Sequence, residues 1–338
     1  YSLYCRQSRR LCAWIALGLV LFQVGSGTLL LLMEQTVQKD EPSVRVAAVQ
    51  GNVGSADKWN MGIWETFQIY YHLSEQAAEN GAVLIVWPET AVPADVAASE
   101  QMAQPLCALA RQYEVTLAIG TFMNDEQGNE YNAVRLILPD GTWADPAYFK
   151  RHLVPFGEYV PLRSLIMAVI PALGGLSQLS YDLTAGDDAA VAFTDWGAIG
   201  SLICFDSIYE ELALDSVRSG AQLLTVSTND SWFFDSAAAQ MHLRQSRLRA
   251  IETGRYVIRA ANTGISAVIS PDGAVTAQLE ALKEGVVYGE VALRTDRTLY
   301  TLTGNLWIVL CAACCSLVLG ERIGRTLSVK NESKRVVH

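Results

Sequence analysis

The hydrophobic pattern divides the chain into three parts. Two uncharged apolar runs of 23 residues, Leu11–Met33 and Thr298–Gly320, flank a long middle where short apolar runs alternate with amphipathic ones. A helix needs roughly 20 apolar residues to cross the hydrocarbon core, so both runs predict transmembrane helices. The first also fits a signal peptide, with Arg6, Arg9 and Arg10 as its charged n-region. It exceeds the usual h-region of roughly 7–15 residues, which favours the transmembrane reading. The opening Tyr1, in place of Met, leads us to expect further sequence upstream.

In the middle, "VRVAAVQ" (44–50) predicts a strand. Residues 58–80 predict a helix, with Trp59, Ile63, Phe67, Tyr70, Tyr71, Leu73 and Ala77 at steps of three and four. "AVLIVWPE" (82–89) is a continuous apolar strand that ends at Pro88-Glu89. A helix follows over 98–113, then strands at 116–122 and 131–139, with Asp140-Gly141 as a hairpin turn. The second half repeats the rhythm. "AVAFTDWGAIGSLICF" (190–205) predicts two strands joined at Asp195–Gly197, followed by a helix over 207–219. The strand "AQLLTVSTND" (221–230), a helix over 236–253, and "YVIRAAN", "GISAVISPDG" and "VVYGEVAL" complete it. Alternating strands and helices mean an α/β fold. Continuous apolar strands mean sheets covered on both faces. Two similar halves predict two sheets packed together with helices outside.

One stretch breaks the pattern. Residues 161–186, "PLRSLIMAVIPALGGLSQLSYDLTAG", carry many large apolar residues, Leu165, Ile166 and Ile170 among them, interrupted by Pro161, Pro171 and Gly174-Gly175. They fit a core insertion or an apolar arm over the active site that meets the bilayer.

Charge sets the orientation. Arg6, Arg9 and Arg10 precede the first run, and Arg322, Arg325, Lys330, Lys334 and Arg335 follow the second. Residues 1–10 and 321–338 therefore read as cytoplasmic and 34–297 as exported. That middle holds 17 of the 25 Lys and Arg and 33 of the 35 Asp and Glu, a net charge of −16. Nucleic acid needs a basic footprint and is excluded as a partner. Of seven cysteines only Cys107 and Cys204 lie in the exported part, so no disulfide scaffold is expected. Cys311 and Cys314, a lone CxxC in an apolar run, imply no metal site.

Candidate chemistry gathers at strand ends, where catalytic groups collect in α/β sheets. Glu89 closes one apolar strand and Cys204 another, and Lys150 lies in the loop "AYFKRHLVPFGEYVP". Cys204 runs straight into Asp206, Glu210 and Glu211, and nearby negative charge suppresses a thiolate. A carboxylate there works instead as general base, taking the thiol proton during attack. A lysine ammonium offsets the acids and holds a developing oxyanion. Histidine assistance is disfavoured. His72 falls in a helix, His338 is the last residue, His152 lies two residues from Lys150, and His242 sits in an Arg-rich helix. Arg249, Glu252 and Arg255 fit a paired helix face.

The order Glu89, Lys150, Cys204 resembles the carbon–nitrogen hydrolase (nitrilase) superfamily. The segments "VAAVQGNV", "WPETAVP", "YNA", "YFKRHLVPFGEYVPLR", "ICFDSIYEE", "TNDSWF" and "RLRAIETGRYVIRAANTG" resemble its apolipoprotein N-acyltransferase branch over about residues 44–290. The resemblance implies a four-layer α-β-β-α sandwich flanked by transmembrane helices. It implies Cys204 as nucleophile, Glu89 as base, Lys150 at the oxyanion and Glu158 as a further acid of the site. Phe205-Asp206 stands where the family often has Tyr-Glu. Asn132 fits either a site-orienting group or a backbone partner, and Trp232 and Phe233 either an acyl path or core packing. The implied reaction moves an acyl chain from a phospholipid to Cys204 as a thioester, then to the N-terminal α-amine of an S-diacylglyceryl-cysteine lipoprotein. The implied setting is a bacterial inner membrane, multi-pass, with the site on the periplasmic side. No cofactor is implied. Two rival readings are a membrane-anchored amidase or nitrilase on a small soluble substrate, and a non-catalytic membrane-tethered binding module.

Overall fold

Val46 and Ala48 of the first strand are fully buried in one apolar layer, Ala47 and Val49 in another. Side chains alternate along a strand, so a sheet apolar on both sides must be covered on both sides. The computed structural model describes residues 13–14, 17–29, 32, 43–54, 61–163, 182–233, 236–306, 308–316, 318–320 and 323. The chain forms two units, Tyr1–Thr295 and Asp296–His338.

The first half of the larger unit contains β1 (Ser43–Gln50), α1 (Ile63–Glu79), β2 (Leu84–Val86), α2 (Glu100–Tyr113), β3 (Thr116–Asn124), β4 (Glu130–Ile137) and β5 (Tyr148–Phe149). The second contains β6 (Ala192–Thr194), β7 (Gly197–Ile203), a 3-10 helix (Cys204–Ile208), α3 (Glu210–Arg218), β8 (Leu223–Thr228) and α4 (Ala237–Thr253). It continues with β9 (Val257–Ala261), β10 (Ser266–Ile269), β11 (Val275–Leu279) and β12 (Gly285–Ala292). One six-stranded sheet has the order β12-β1-β2-β3-β4-β5, the other β11-β10-β9-β8-β7-β6. Each has three parallel strands at its heart, β1-β2-β3 and β7-β8-β9, with antiparallel strands outside.

Three apolar layers hold the sheets together. Val46, Leu84 and Val86 of the first sheet meet Ile203, Leu223 and Ile258 of the second in the central layer. Phe67 and Leu106 of α1 and α2 cover the outer face of the first sheet, and Leu212 and Leu243 of α3 and α4 cover that of the second. The result is the α-β-β-α sandwich expected from the two similar halves. The expected elements fall within a few residues of those observed. The segment 207–219 is the exception: it splits into the 3-10 helix and α3. β5 and β11 had no apolar run long enough to mark them.

In the larger unit residues 17–29 are helical, with Leu17, Leu19, Leu21 and Phe22 exposed. The smaller unit contains α5 (Leu299–Thr303) and helical residues 308–316. Among the described residues no helix is long and apolar enough to cross a membrane. Parts of both expected spans, 11–33 and 298–320, lie outside the described residues. So do residues 164–181, and with them the expected arm residues Leu165, Ile166 and Ile170.

The fold positions Glu89 by a close backbone contact. Trp87 N–H donates to Ala118 O (2.8 Å) and Ala91 N–H to Gly120 O (3.0 Å), so the segment after β2 lies on β3. A Cβ on Gly120 would stand 2.0 Å from Pro88 O, which only glycine permits. We expect Gly120→Ala to cost about 1–3 kcal/mol or more by overpacking. Gly62→Ala, whose nearest neighbour would be 3.9 Å away, serves as the control. Urea unfolding of both variants tests this, and equal midpoints would contradict it.

Candidate active site

A buried lysine is the first constraint. Lys150 follows the short strand β5, is 1% exposed, and is pinned by its own backbone. Its N–H donates to Asn132 O (2.8 Å), and its carbonyl accepts from Gly186 N–H (2.9 Å). Its ammonium donates to Glu89 Oε1 (2.7 Å) and lies 2.8 Å from Glu158 Oε2. Asn132 on β4 donates from Nδ2 to Glu89 Oε1 (2.8 Å) and Glu158 Oε1 (2.9 Å), which ties the two acids together. The Asn132 side chain thus bonds both acids rather than the backbone. Asn229 N–H supplies Glu89 Oε2 from the second sheet (2.9 Å). Glu158 closes its own loop, its Oε2 accepting from Val154 N–H (2.8 Å).

Electrostatics follow from this packing. Burial alone would neutralise Lys150, but Glu89 and Glu158 outweigh it and hold the ammonium charged well above its ordinary range. Burial likewise pushes the Glu89 carboxyl up, and the Lys150 charge and hydrogen bond, with Asn132 and Cys204, bring it below its ordinary value.

Cys204 starts the 3-10 helix after β7, with φ of +48°. A left-handed conformation is unfavourable for a residue with a Cβ and typical of sharp turns that present a side chain. Cys204 is half-buried as a residue, and its thiol is near enough to Glu89 to help lower that carboxyl. Burial and the Glu89 charge push the thiol far above its ordinary value, against a smaller downward pull from Lys150. The resting group is therefore a thiol with a carboxylate beside it, an arrangement that general-base activation can use.

Asp206, two residues after Cys204, has its hydrogen bonds elsewhere. Asp206 is fully buried and accepts from Tyr148 Oη (2.9 Å), His152 N–H (2.8 Å) and Ile203 N–H (3.2 Å). It clamps the Cys204 turn to the segment that carries Lys150. Burial raises its carboxyl above the ordinary value despite Lys150 and these hydrogen bonds. Phe205 packs edge-on against Tyr209, 5.3 Å between centroids.

The outer candidates divide. Trp232 is 53% exposed. Phe233 packs against the layer beneath α3 and α4 and meets His242 edge-on at 6.0 Å. Arg249 pairs with Glu252 at 2.8 Å, as the helix-face reading expected. His242 departs from expectation. Its Nδ1 is 2.8 Å from Asp230 Oδ1, and its Nε2 is 3.1 Å from the Cys204 carbonyl. Sequence reasoning missed this because a helix period does not tell which loop its buried face meets. The available signal was Asp230 in "TNDSWF", a second acid just beyond an apolar strand end.

Cys204, Asp230 and His242 bring possible metal-ligand atoms within 4.8 Å of one another. Asp230 already has the Arg259 guanidinium at 2.6 Å, and a cation placed there would compete with it.

Removing Lys150 should expose the cost of this cluster. Lys150→Met leaves the buried Glu89 carboxylate facing that of partly buried Glu158 with no counter-charge, and we expect a loss of about 3–5 kcal/mol at neutral pH. The sign with pH follows. In the parent, the lowered Glu89 carboxyl contributes stability at neutral pH that is lost on acidification. In the variant, burial prevails, the folded state takes up protons, and acid relieves the repulsion. The penalty should therefore shrink from pH 7 to pH 5 in urea unfolding; a constant penalty would contradict the buried triad.

The carbon–nitrogen hydrolase family model matches residues 45–299. A curated apolipoprotein N-acyltransferase of Geobacter metallireducens is 35% identical over 81% of this chain and 53% of its own length. That of Methylococcus capsulatus is 36% identical over 94% and 61%. The chain thus spans between half and two thirds of the length of these curated relatives. Among solved structures, a carbon-nitrogen hydrolase from Helicobacter pylori superposes with TM-score 0.57 at 18% identity, covering 74% of this chain and 89% of that one. An amidase from Nesterenkonia sp. gives TM-score 0.57 at 19% identity, covering 78% and 94%. At such identities the likeness is one of fold.

Proposed function

Because the chain belongs to the carbon–nitrogen hydrolase family, we propose that its Cys204 carries an acyl chain from a phospholipid to the N-terminal α-amine of an S-diacylglyceryl-cysteine lipoprotein. The observation that carries this reading is the cluster of Glu89, Lys150, Glu158 and Cys204, with Glu89 hydrogen-bonded to the ammonium and its carboxyl lowered in part by the thiol beside it. The curated relatives named apolipoprotein N-acyltransferase support the choice of substrates.

The chemistry runs in two halves. Glu89 takes the Cys204 proton as the sulfur attacks the ester carbonyl carbon. The Lys150 ammonium receives the charge that develops on oxygen. The tetrahedral adduct collapses and expels the lysophospholipid alkoxide, which takes the proton from Glu89 and leaves the acyl chain as a thioester. The neutral α-amine of the lipoprotein then attacks the thioester and yields its proton to Glu89. Cys204 departs as thiolate and regains that proton. One site serving both halves gives ping-pong kinetics.

On this reading residues 34–297 form an exported catalytic domain on the periplasmic side of a bacterial inner membrane. Residues 11–33 and 298–320 span that membrane, and 1–10 and 321–338 are cytoplasmic. Leu165, Ile166 and Ile170 shield the acyl chains, and exposed Trp232 lies along their path. Excluding water from the thioester favours aminolysis over hydrolysis.

Intact-protein mass spectrometry tests the first half. The purified chain, in detergent with phospholipid and no acceptor, should gain one acyl mass that hydroxylamine removes. Cys204→Ala should gain none. An unmodified parent whose Cys204 still reacts with iodoacetamide would sink the phospholipid half-reaction. Turnover of a small amide without lipid or detergent would favour an amidase with water as acceptor. Full biological activity of Cys204→Ala would favour a binding module. Replacing Leu165, Ile166 and Ile170 with Ser should weaken use of vesicles more than use of a short-chain soluble ester. Equal losses would mark those residues as core.

A further inference from the structure

Behind the nucleophile lies a buried polar chain that the acyl transfer described above does not use. Asp230, at the end of β8, is 2% exposed. Its Oδ2 takes the Arg259 guanidinium at 2.6 Å, and its Oδ1 takes the Thr228 hydroxyl at 2.9 Å and faces His242 Nδ1 at 2.8 Å. Burial pushes the Asp230 carboxyl up, but Arg259 and His242 hold it well below the ordinary carboxylate range. A carboxylate accepts only, so it places the imidazole proton on Nδ1. Arg259 lies on the outer face of β9 and is fully buried, with its other donors on Ser246 Oγ (3.1 Å) and Ile265 O (3.2 Å). Gly264 closes the pocket: a Cβ there would stand 2.2 Å from Asp230 Oδ2.

The other end of the chain reaches the nucleophile's backbone. His242 Nε2 lies 3.0 Å from Ser207 Oγ and 3.1 Å from Cys204 O. Ser207 itself donates to Cys204 O at 2.7 Å. Arg249, about two turns along α4, donates to Ser207 O at 3.3 Å. These contacts converge on the one residue of the turn whose φ is left-handed, Cys204. A strained conformation persists only where its surroundings over-determine it.

We propose that His242 is a positioning residue: with Nδ1 donating to Asp230, its Nε2 accepts from the Ser207 hydroxyl, which also reaches the Cys204 carbonyl, and so it braces the turn that keeps the thiol aimed at Glu89. The groups that surround the imidazole are Asp230 from the loop after β8, Arg259 from β9, Cys204 and Ser207 from the 3-10 helix, and the Phe233 edge. The inference rests on Cys204 as nucleophile, and its test needs no acyl donor.

Two isosteric variants separate the two ends of the ring. His242→Asn keeps a partner for Asp230 and gives up the reach to Cys204. His242→Gln keeps an amide near the Nε2 position and gives up Nδ1. The chain in detergent is treated with iodoacetamide, and peptide mass spectrometry follows the rate at Cys204 alone. We expect His242→Asn to slow alkylation by about tenfold or more, the scale of a misaimed reacting group, while His242→Gln stays within about threefold of the parent. Parental speed in His242→Asn overturns the proposal. Equal slowing in both variants also overturns it, because the role then lies with Asp230 or with packing. If the His242 variants fail to fold, Ser207→Ala reads the same link: slower alkylation is expected, and parental speed overturns the proposal. The expected pattern in a chain that forms no thioester would defeat the acyl-transfer reading and leave this one standing.

Discussion

Lys150 is a fully buried ammonium, and the rest of the site exists to make that possible. Dehydrating a charge costs several kcal/mol, recovered only with close partners of good geometry. Glu89 and Glu158 supply the counter-charge, and Asn132 locks the two acids to each other. Two carboxylates against one ammonium leave surplus negative charge beside Cys204. The two acids keep the lysine protonated, and burial together with the Glu89 charge keeps the cysteine a thiol. A cysteine among acids is therefore no contradiction. It rests uncharged, and on the proposed mechanism it would lose its proton to Glu89 only as it attacks.

The site belongs to neither sheet alone. The first sheet and its loops bring Glu89, Asn132, Lys150 and Glu158. The second brings Cys204 and the residues after β8. The two are joined by Asn229 N–H on Glu89 and by Ser227 Oγ on the Trp87 carbonyl (2.8 Å), with Asp206 as the strap across Tyr148 and His152. Packing the sheets and assembling the site are one event. The apolar layer that drives packing, Val86 against Ile203 among others, lies just beneath the polar groups at the strand ends.

Much of this was legible in the chain. A continuous apolar strand must be covered on both faces, so "AVLIVW" and "SLI" announced a sandwich before any contact was known. Glu89 and Cys204 declared themselves by ending such strands. Asp206 was visible as an acid beside the cysteine, yet its part was not. Proximity in sequence suggested an effect on the thiol, whereas its carboxylate is taken up by the Tyr148 hydroxyl and two backbone amides.

What the sequence determined by itself is what depends on local pattern: strand and helix order, two apolar-cored halves, and the residue types able to run acid–base and nucleophilic chemistry. What only the tertiary structure decided is which distant groups share a dielectric pocket. Asp230, His242 and Arg259 lie on a loop, a helix and a strand, with no common period to link them. Their partnership follows from burial, because each polar group taken from water must find its hydrogen bonds among whatever the packed sheets bring beside it.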